Sequence, residues 1–163
     1  MLSYIVIGGG VLGASAVYHL AKAGAVVTLV DRADPGQATE AAAGIICPWL
    51  SQRRNKDWYR LAKAGAKYYP DLIAQLEKDG ETETGYKRTG ALSIHTDEEK
   101  LDKMQERALK RMEDAPEIGE VKRLSAAETH AMFPILDEGF SAVYAGGAAR
   151  VNGKALRNCL LNA

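Results

Sequence analysis

Gly8, Gly10 and Gly13 stand in a G-x-G-x-x-G arrangement within Gly8-Gly9-Gly10-Val11-Leu12-Gly13, and an acid, Asp31, follows eighteen residues after the last glycine. Residues of these types at this spacing can hold a dinucleotide. Gly8 permits a tight turn, Gly10 lets the backbone approach a pyrophosphate, and Gly13 lets a helix pack closely on a strand. A helix opening at that turn offers unpaired N–H groups and a partial positive charge to phosphates. An acid at the position of Asp31 accepts hydrogen bonds from a ribose and repels a ribose 2′-phosphate, which disfavours NADP. Arg32 beside it argues the other way unless it is a solvated surface cation.

The elements that must position these residues are legible around them. Tyr4-Ile5-Val6-Ile7 is a short β-branched apolar run of the kind buried in a parallel sheet. The helix after the glycine turn stops at Gly24, a C-terminal glycine. Val26-Val27-Thr28-Leu29-Val30 is a second strand, with Asp31 at its carboxyl end. Beyond the acid, the segment from Pro35 to Trp49 is rich in alanine and glycine. Such a run either lays backbone close against a large flat ligand or forms the first turn of a helix.

The glycine turn, Asp31 and above all Ala38-Thr39-Glu40-Ala41-Ala42-Ala43-Gly44-Ile45-Ile46 resemble the FAD-binding core of the D-amino-acid oxidase family, with its glycine oxidase, sarcosine oxidase and D-amino-acid dehydrogenase branches. Tyr86-Lys87-Arg88-Thr89-Gly90-Ala91-Leu92 is similar to that family's first substrate-domain hairpin. Gly146 to Leu156 is similar to the passage that returns the chain to the FAD domain. Asp31 stands where the family more often carries Glu. The resemblance implies that Gly8, Gly10, Val11 and Gly13 surround the FAD pyrophosphate and that Asp31 with Arg32 lies at the adenosine ribose. Thr39, Ala42, Ala43, Gly44 and Ile45 would run along the phosphates and the flavin ring. It also implies oxidation of an amine or amino-acid C–N bond by hydride transfer to the flavin, followed by hydrolysis of the imine. The flavin accepts the hydride and the protein supplies orientation and electrostatics. No acid–base pair is then expected to stand out, and no catalytic side chain is assigned.

Composition fits an ordinary enzyme. Lys plus Arg total 21 and Asp plus Glu total 21, so no net charge favours nucleic acid or an anionic membrane. The longest apolar runs are far short of a membrane span, and no cationic leader precedes the first strand, which points to a cytoplasmic location. Cys47 and Cys159 lie outside any C-x-x-C pattern, as a reducing compartment allows. The three histidines are scattered without metal-ligand spacing. Cys47 and Trp49 follow the flavin-type loop closely enough to lie near a bound ring, although a small thiol and an aromatic are also ordinary core residues.

Helical spacing of apolar residues predicts an amphipathic helix from about Asn55 to Lys78, kinked or divided at Pro70. A strand over Thr82 to Lys87, a turn near Thr89-Gly90 and a strand over Ala91 to His95 follow. Thr96 with Glu99 predicts a capping box for a helix reaching about Glu113. A strand over Val121 to Leu124, a helix capped by Ser125 with Glu128, a strand over Ser141 to Tyr144 and a helix capped by Asn152 complete the reading. Arg88 could face a substrate carboxylate or be a strand-edge cation.

The predicted class is α/β: a Rossmann-like FAD-binding βαβ domain over residues 1–80 and 145–163, interrupted by an α+β partial substrate domain over 81–144. The last helix delivers the chain to no further parallel strand, so the sequence is expected to be the N-terminal portion of a longer flavoprotein. As such it would pair with the remaining half or self-associate, and would not be catalytically complete alone. The alternatives are a complete, small flavoprotein, an NAD-dependent dehydrogenase, and a nucleotide-binding or assembly module without chemistry.

Overall fold

The computed structural model describes residues 2–163. The chain falls into two compact units, one of residues 2–44, Tyr69–Tyr86 and Arg150–Ala163, the other of Ile45–Tyr68 and Lys87–Ala149.

In the first unit, strands β1 (Ser3–Ile7) and β2 (Val26–Val30) pair in parallel, with Ser3 opposite Val26 and Ile7 opposite Val30. Parallel neighbours need a crossover, and helix α1 (Val11–Lys22) supplies it. Gly24, at φ +81°, ends that helix: its N–H donates to the Ala21 carbonyl and the Ala25 N–H to Leu20. These two bonds form a Schellman motif, which a left-handed residue makes possible. The short helix α2 (Ala38–Ala41) follows the acid, and helix α6 (Gly153–Asn162) packs against α1. The α6 start is fixed as the sequence predicts, with Asn152 Oδ1 accepting from the Ala155 N–H at 3.0 Å. Its buried stripe is Leu156, Cys159 and Leu160. Buried Tyr18 on α1 donates its hydroxyl to Asp79 at 2.8 Å, and Lys22 joins the same carboxylate at 2.7 Å.

Helix α3 (Lys56–Lys78) continues through Pro70, so of the kink or division that the sequence predicts there the division does not occur. Proline's fixed φ is helical, so the element can continue, at the cost of one N–H donor and of crowding between the ring and the carbonyl four residues back. Burial of Leu72, Ile73 and Leu76 beyond it compensates. The boundary between the two units nevertheless falls at Tyr68 and Tyr69, immediately before Pro70. Gly80, at φ +94°, closes the helix with a second Schellman pair: Gly80 N–H to Glu77 and Glu81 N–H to Leu76.

The second unit is built on an antiparallel sheet in the order β5 (Ala91–His95), β7 (Ser141–Ala145), β6 (Val121–Leu124). Helix α4 (Glu98–Met112) lies across it. Leu101, Met104 and Ala108 of α4 join Trp49, Ile118 and Val143 in the core. Helix α5 (Ala126–Met132) carries the predicted capping box in full, with Ser125 and Glu128 each accepting from the other's backbone. A smaller sheet is ordered β3 (Ile45–Ile46), β8 (Ala149–Arg150), β4 (Lys87–Arg88).

Three sequence expectations are corrected here. The strand predicted over Thr82 to Lys87 is only Lys87–Arg88, because Gly85 takes φ +66° and breaks the extended run. That strand and β5 also lie in different sheets, so they form no hairpin with each other. The cap of α4 is Asp97 rather than Thr96, its Oδ1 accepting from the Lys100 N–H at 3.2 Å.

Candidate nucleotide-binding site

At the carboxyl ends of β1 and β2 the first unit holds an open cleft of about 440 Å³. Gly8, Gly10, Asp31, Arg32, Ala38 and Thr39 are among the residues lining it. Ligands of open α/β sheets bind at such strand ends. The turn is as tight as its glycines require. A Cβ on Gly13 would lie 1.8 Å from the Gly8 carbonyl oxygen, so no side chain fits where helix meets strand. Gly8 itself holds φ +102°.

Asp31 is locked to the turn. Its Oδ2 accepts from the Gly9 N–H at 2.5 Å, and its Oδ1 from the Ala33 N–H at 2.7 Å and from Gln37 Nε2 at 3.2 Å. The Gly9 N–H and then the Ala33 N–H hold its carboxyl below the ordinary carboxylate range. A carboxylate offers about four acceptor positions, so one remains on Oδ2 for an incoming hydroxyl. Gln37 Oε1 lines the same cleft as a buried acceptor with no partner. An acceptor of that kind fits a ligand with hydroxyl or amino donors, such as an adenosine. Arg32 is solvated, paired with Asp34 at 2.6 Å.

Thr39 alters the expected picture of the helix end. Its Oγ1 accepts from the Val11 N–H at 3.0 Å, so this amide of the first turn is already satisfied. The hydroxyl proton stays available to an oxyanion, which moves the donor outward from backbone to side chain. Arg157 of α6, unforeseen in the sequence, donates Nε to the Gly9 carbonyl. One lone arginine on a helix gives no sequence signal of that reach.

The predicted residues therefore divide. Gly8, Gly10, Asp31, Arg32 and Thr39 line the cleft, with Val11 behind Thr39 and Gly13 beneath the turn. Ala42, Ala43 and Gly44 do not line it: the two alanines are exposed and extended chain follows α2. Gly44 instead meets the return passage, at φ +68° with a notional Cβ 1.9 Å from the Val151 carbonyl oxygen. Ile45 belongs to the second unit and is exposed.

Three side chains flagged in the sequence have other surroundings. Trp49 is sealed in the second unit's core at 1% exposure. Cys47 is half-buried, its thiol pushed up to about 11 by burial. Arg88 reaches the Glu117 carbonyl at 3.4 Å, as a strand-edge cation does.

The family model described as FAD dependent oxidoreductase (DAO) matches residues 3–163. The chain belongs to that family. It is 69% identical over all 163 residues to "Uncharacterized oxidoreductase YurR" of Bacillus subtilis strain 168, covering 44% of that protein. Among solved structures, it is similar to iminodiacetate oxidase (IdaA) from Chelativorans sp. BNC1, with a TM-score of 0.93, 46% identity, and coverage of 97% of this chain and 43% of that one. It is also similar to glycine oxidase from Geobacillus kaustophilus, with a TM-score of 0.78, 28% identity, and coverage of 99% and 44%. This DAO-family chain thus spans less than half the length of the proteins it matches. Membership makes FAD the cofactor class of the fold and sets the NAD-dependent dehydrogenase reading aside. No helix among the described residues is long and apolar enough to cross a membrane.

Proposed function

We propose that the first unit is the adenosine-diphosphate-holding portion of an FAD-dependent oxidoreductase that oxidises the C–N bond of an amine or amino acid bearing a carboxylate. The observation that carries the reading is the cleft in which Asp31, tied to Gly9, stands over the glycine turn with one acceptor position left. Gly8, Gly10, Val11 and Gly13 would form the pyrophosphate turn, and Asp31 with Arg32 would stand at the ribose. Thr39 would direct its hydroxyl proton to a phosphate oxygen, with Ala42, Ala43, Gly44 and Ile45 continuing toward the flavin ring. When bound, the flavin would supply the hydride acceptor.

Residues 81–144 would contribute part of the substrate domain. The names of the relatives, glycine oxidase and iminodiacetate oxidase, support a small amine flanked by a carboxylate as the substrate class. A cytoplasmic setting is part of the proposal, supported by the two unpaired cysteines. So is pairing of this chain with further parts of the whole protein, or self-association. Ile5 and Ile7 of β1, 73% and 85% exposed, leave an apolar surface open to such a partner.

The test is anaerobic mixing of the purified whole protein with glycine, sarcosine, iminodiacetate and D-alanine. A yellow protein whose flavin band bleaches with one of these supports the proposal. A colourless protein that takes up no FAD, or a flavin that none of the amines reduces, overturns it.

A further inference from the structure

The second unit holds a separate cleft of about 400 Å³ where the chain enters α3 beside α4. Its lining includes five cations: Arg53, Arg54 and Lys56 from the entry to α3, and Arg107 and Arg111 from α4. No Asp or Glu lines it. None of the five forms an ion pair among the described residues, whereas the nearby Arg60 and Lys63 are matched by Asp57 and Asp114. A chain with 21 cations and 21 anions has here gathered five charges without an ion-pair partner into one concavity; the nearby acid that acts on Arg111, Asp114, is itself bound to Lys63. Like charges that converge repel one another, so the arrangement is stabilised by an anion among them.

The cleft is also prepared for hydrogen bonding. The Tyr59 hydroxyl and Arg107 Nε are buried without a partner, and both residues line it. Buried polar atoms are normally satisfied, and each of these two can donate to an oxyanion. Arg111 is held rigid: its Nη1 donates to the carbonyls of Trp49 at 2.6 Å and Ser51 at 2.8 Å, and its guanidinium lies 4.3 Å from the Tyr59 ring centre. Arg53 lies 4.7 Å from the Trp58 ring centre. Preorganised guanidinium forks match carboxylate and phosphate oxygens in pairs. Asn55 caps α3 at this same point, accepting from the Trp58 N–H at 2.8 Å, so the positive end of a 23-residue helix adds to the field. Burial, with the neighbouring Arg107 charge, lowers the Arg111 pKa.

We propose that this cleft binds a small dianion, with the chemistry shared by dicarboxylates and phosphate groups, and that binding clamps the start of α3 to α4. The inference is independent of the flavin reading, because every residue it uses lies outside the nucleotide cleft.

The experiment follows thermal unfolding of the protein as purified, with malonate, inorganic phosphate and acetate at matched ionic strength. Malonate or phosphate at a hundredfold excess over its dissociation constant should raise Tm by about 5 °C or more. The stronger of the two identifies the class of ligand. Arg107→Gln and Arg54→Gln should each weaken that ligand by about tenfold. Arg107→Gln should melt no lower than the parent without ligand, since it removes a buried unpaired donor. Asp31→Asn should leave the shift intact, which separates this cleft from the nucleotide site. An equal shift with acetate, no shift with either dianion, or an unchanged response in both arginine variants overturns the proposal.

Discussion

The backbone N–H of Gly9 donates to Asp31 Oδ2 at 2.5 Å, joining the middle of the glycine turn to the end of the neighbouring strand. The acid therefore has two tasks. It holds the turn in shape, and it presents what acceptor capacity remains to a ligand. Asp31→Asn keeps the size of the side chain and removes its charge. The variant is expected to bind FAD about tenfold more weakly, since bonds to a charged acceptor are the strong class. Quenching of FAD fluorescence on titration measures this; unchanged affinity would mean that Asp31 serves the turn alone.

The same carboxylate sets a pH signature. Its folded-state pKa is lowered, chiefly by the Gly9 N–H, so its contribution to stability is fully present above the unfolded value, about 3.9. That contribution is lost as pH falls through the folded value. Asp79 behaves alike, lowered first by Lys22 and then by Tyr18. The Tm gap between the parent and Asp31→Asn should therefore be constant near neutrality and close in strongly acidic solution. A gap that closes near pH 6 would assign the effect to another group.

Much of this site was legible because each of its parts obeys a local rule. Strand, glycine turn, helix, strand and acid are all written within 31 consecutive residues, and the caps at Ser125 and Asn152 need only three or four more each. What the sequence hid depends on distance or competition. Arg157 meets Gly9 across 148 positions, and nothing local marks it. Asp97 displaced Thr96 as a cap because a carboxylate one residue on is the stronger acceptor. Thr82 to Tyr86 has the composition of a strand, but the left-handed Gly85 sets the backbone against it. The loop from Ala42 to Ile45 reads as one ligand-facing run, yet its chain divides between two compact units.

Cys47 should be a quiet thiol. Burial pushes its pKa up to about 11, which leaves roughly one thiolate in a thousand at pH 8. Cys159 is also buried, and its pKa is raised for the same reason. Neither should react readily with a disulfide reagent in the folded protein, and both should react on adding urea. Cys47→Ala should leave FAD affinity unchanged. Rapid labelling of native Cys47 would show that its surroundings open in solution.

Gly10 and Gly13 are identical residues with opposite sensitivities, and the contrast separates folding from ligand binding. A methyl on Gly13 meets the Gly8 carbonyl oxygen at 1.8 Å, and backbone on both sides must yield. Gly13→Ala should lower stability by about 1–3 kcal/mol, read as a lower urea midpoint. Gly10 is roomier: the nearest atom to its Cβ is Thr39 Oγ1 at 3.2 Å, and its φ of −69° suits any residue. Gly10→Ala should fold nearly as the parent does. Its methyl, however, stands in the cleft beside the hydroxyl that caps Val11, where a pyrophosphate must approach the backbone. FAD affinity should fall in Gly10→Ala while the urea midpoint stays near that of the parent. If both variants lost stability equally, the second glycine would be serving the fold; if Gly10→Ala bound FAD as tightly as the parent, the pyrophosphate would have to lie elsewhere.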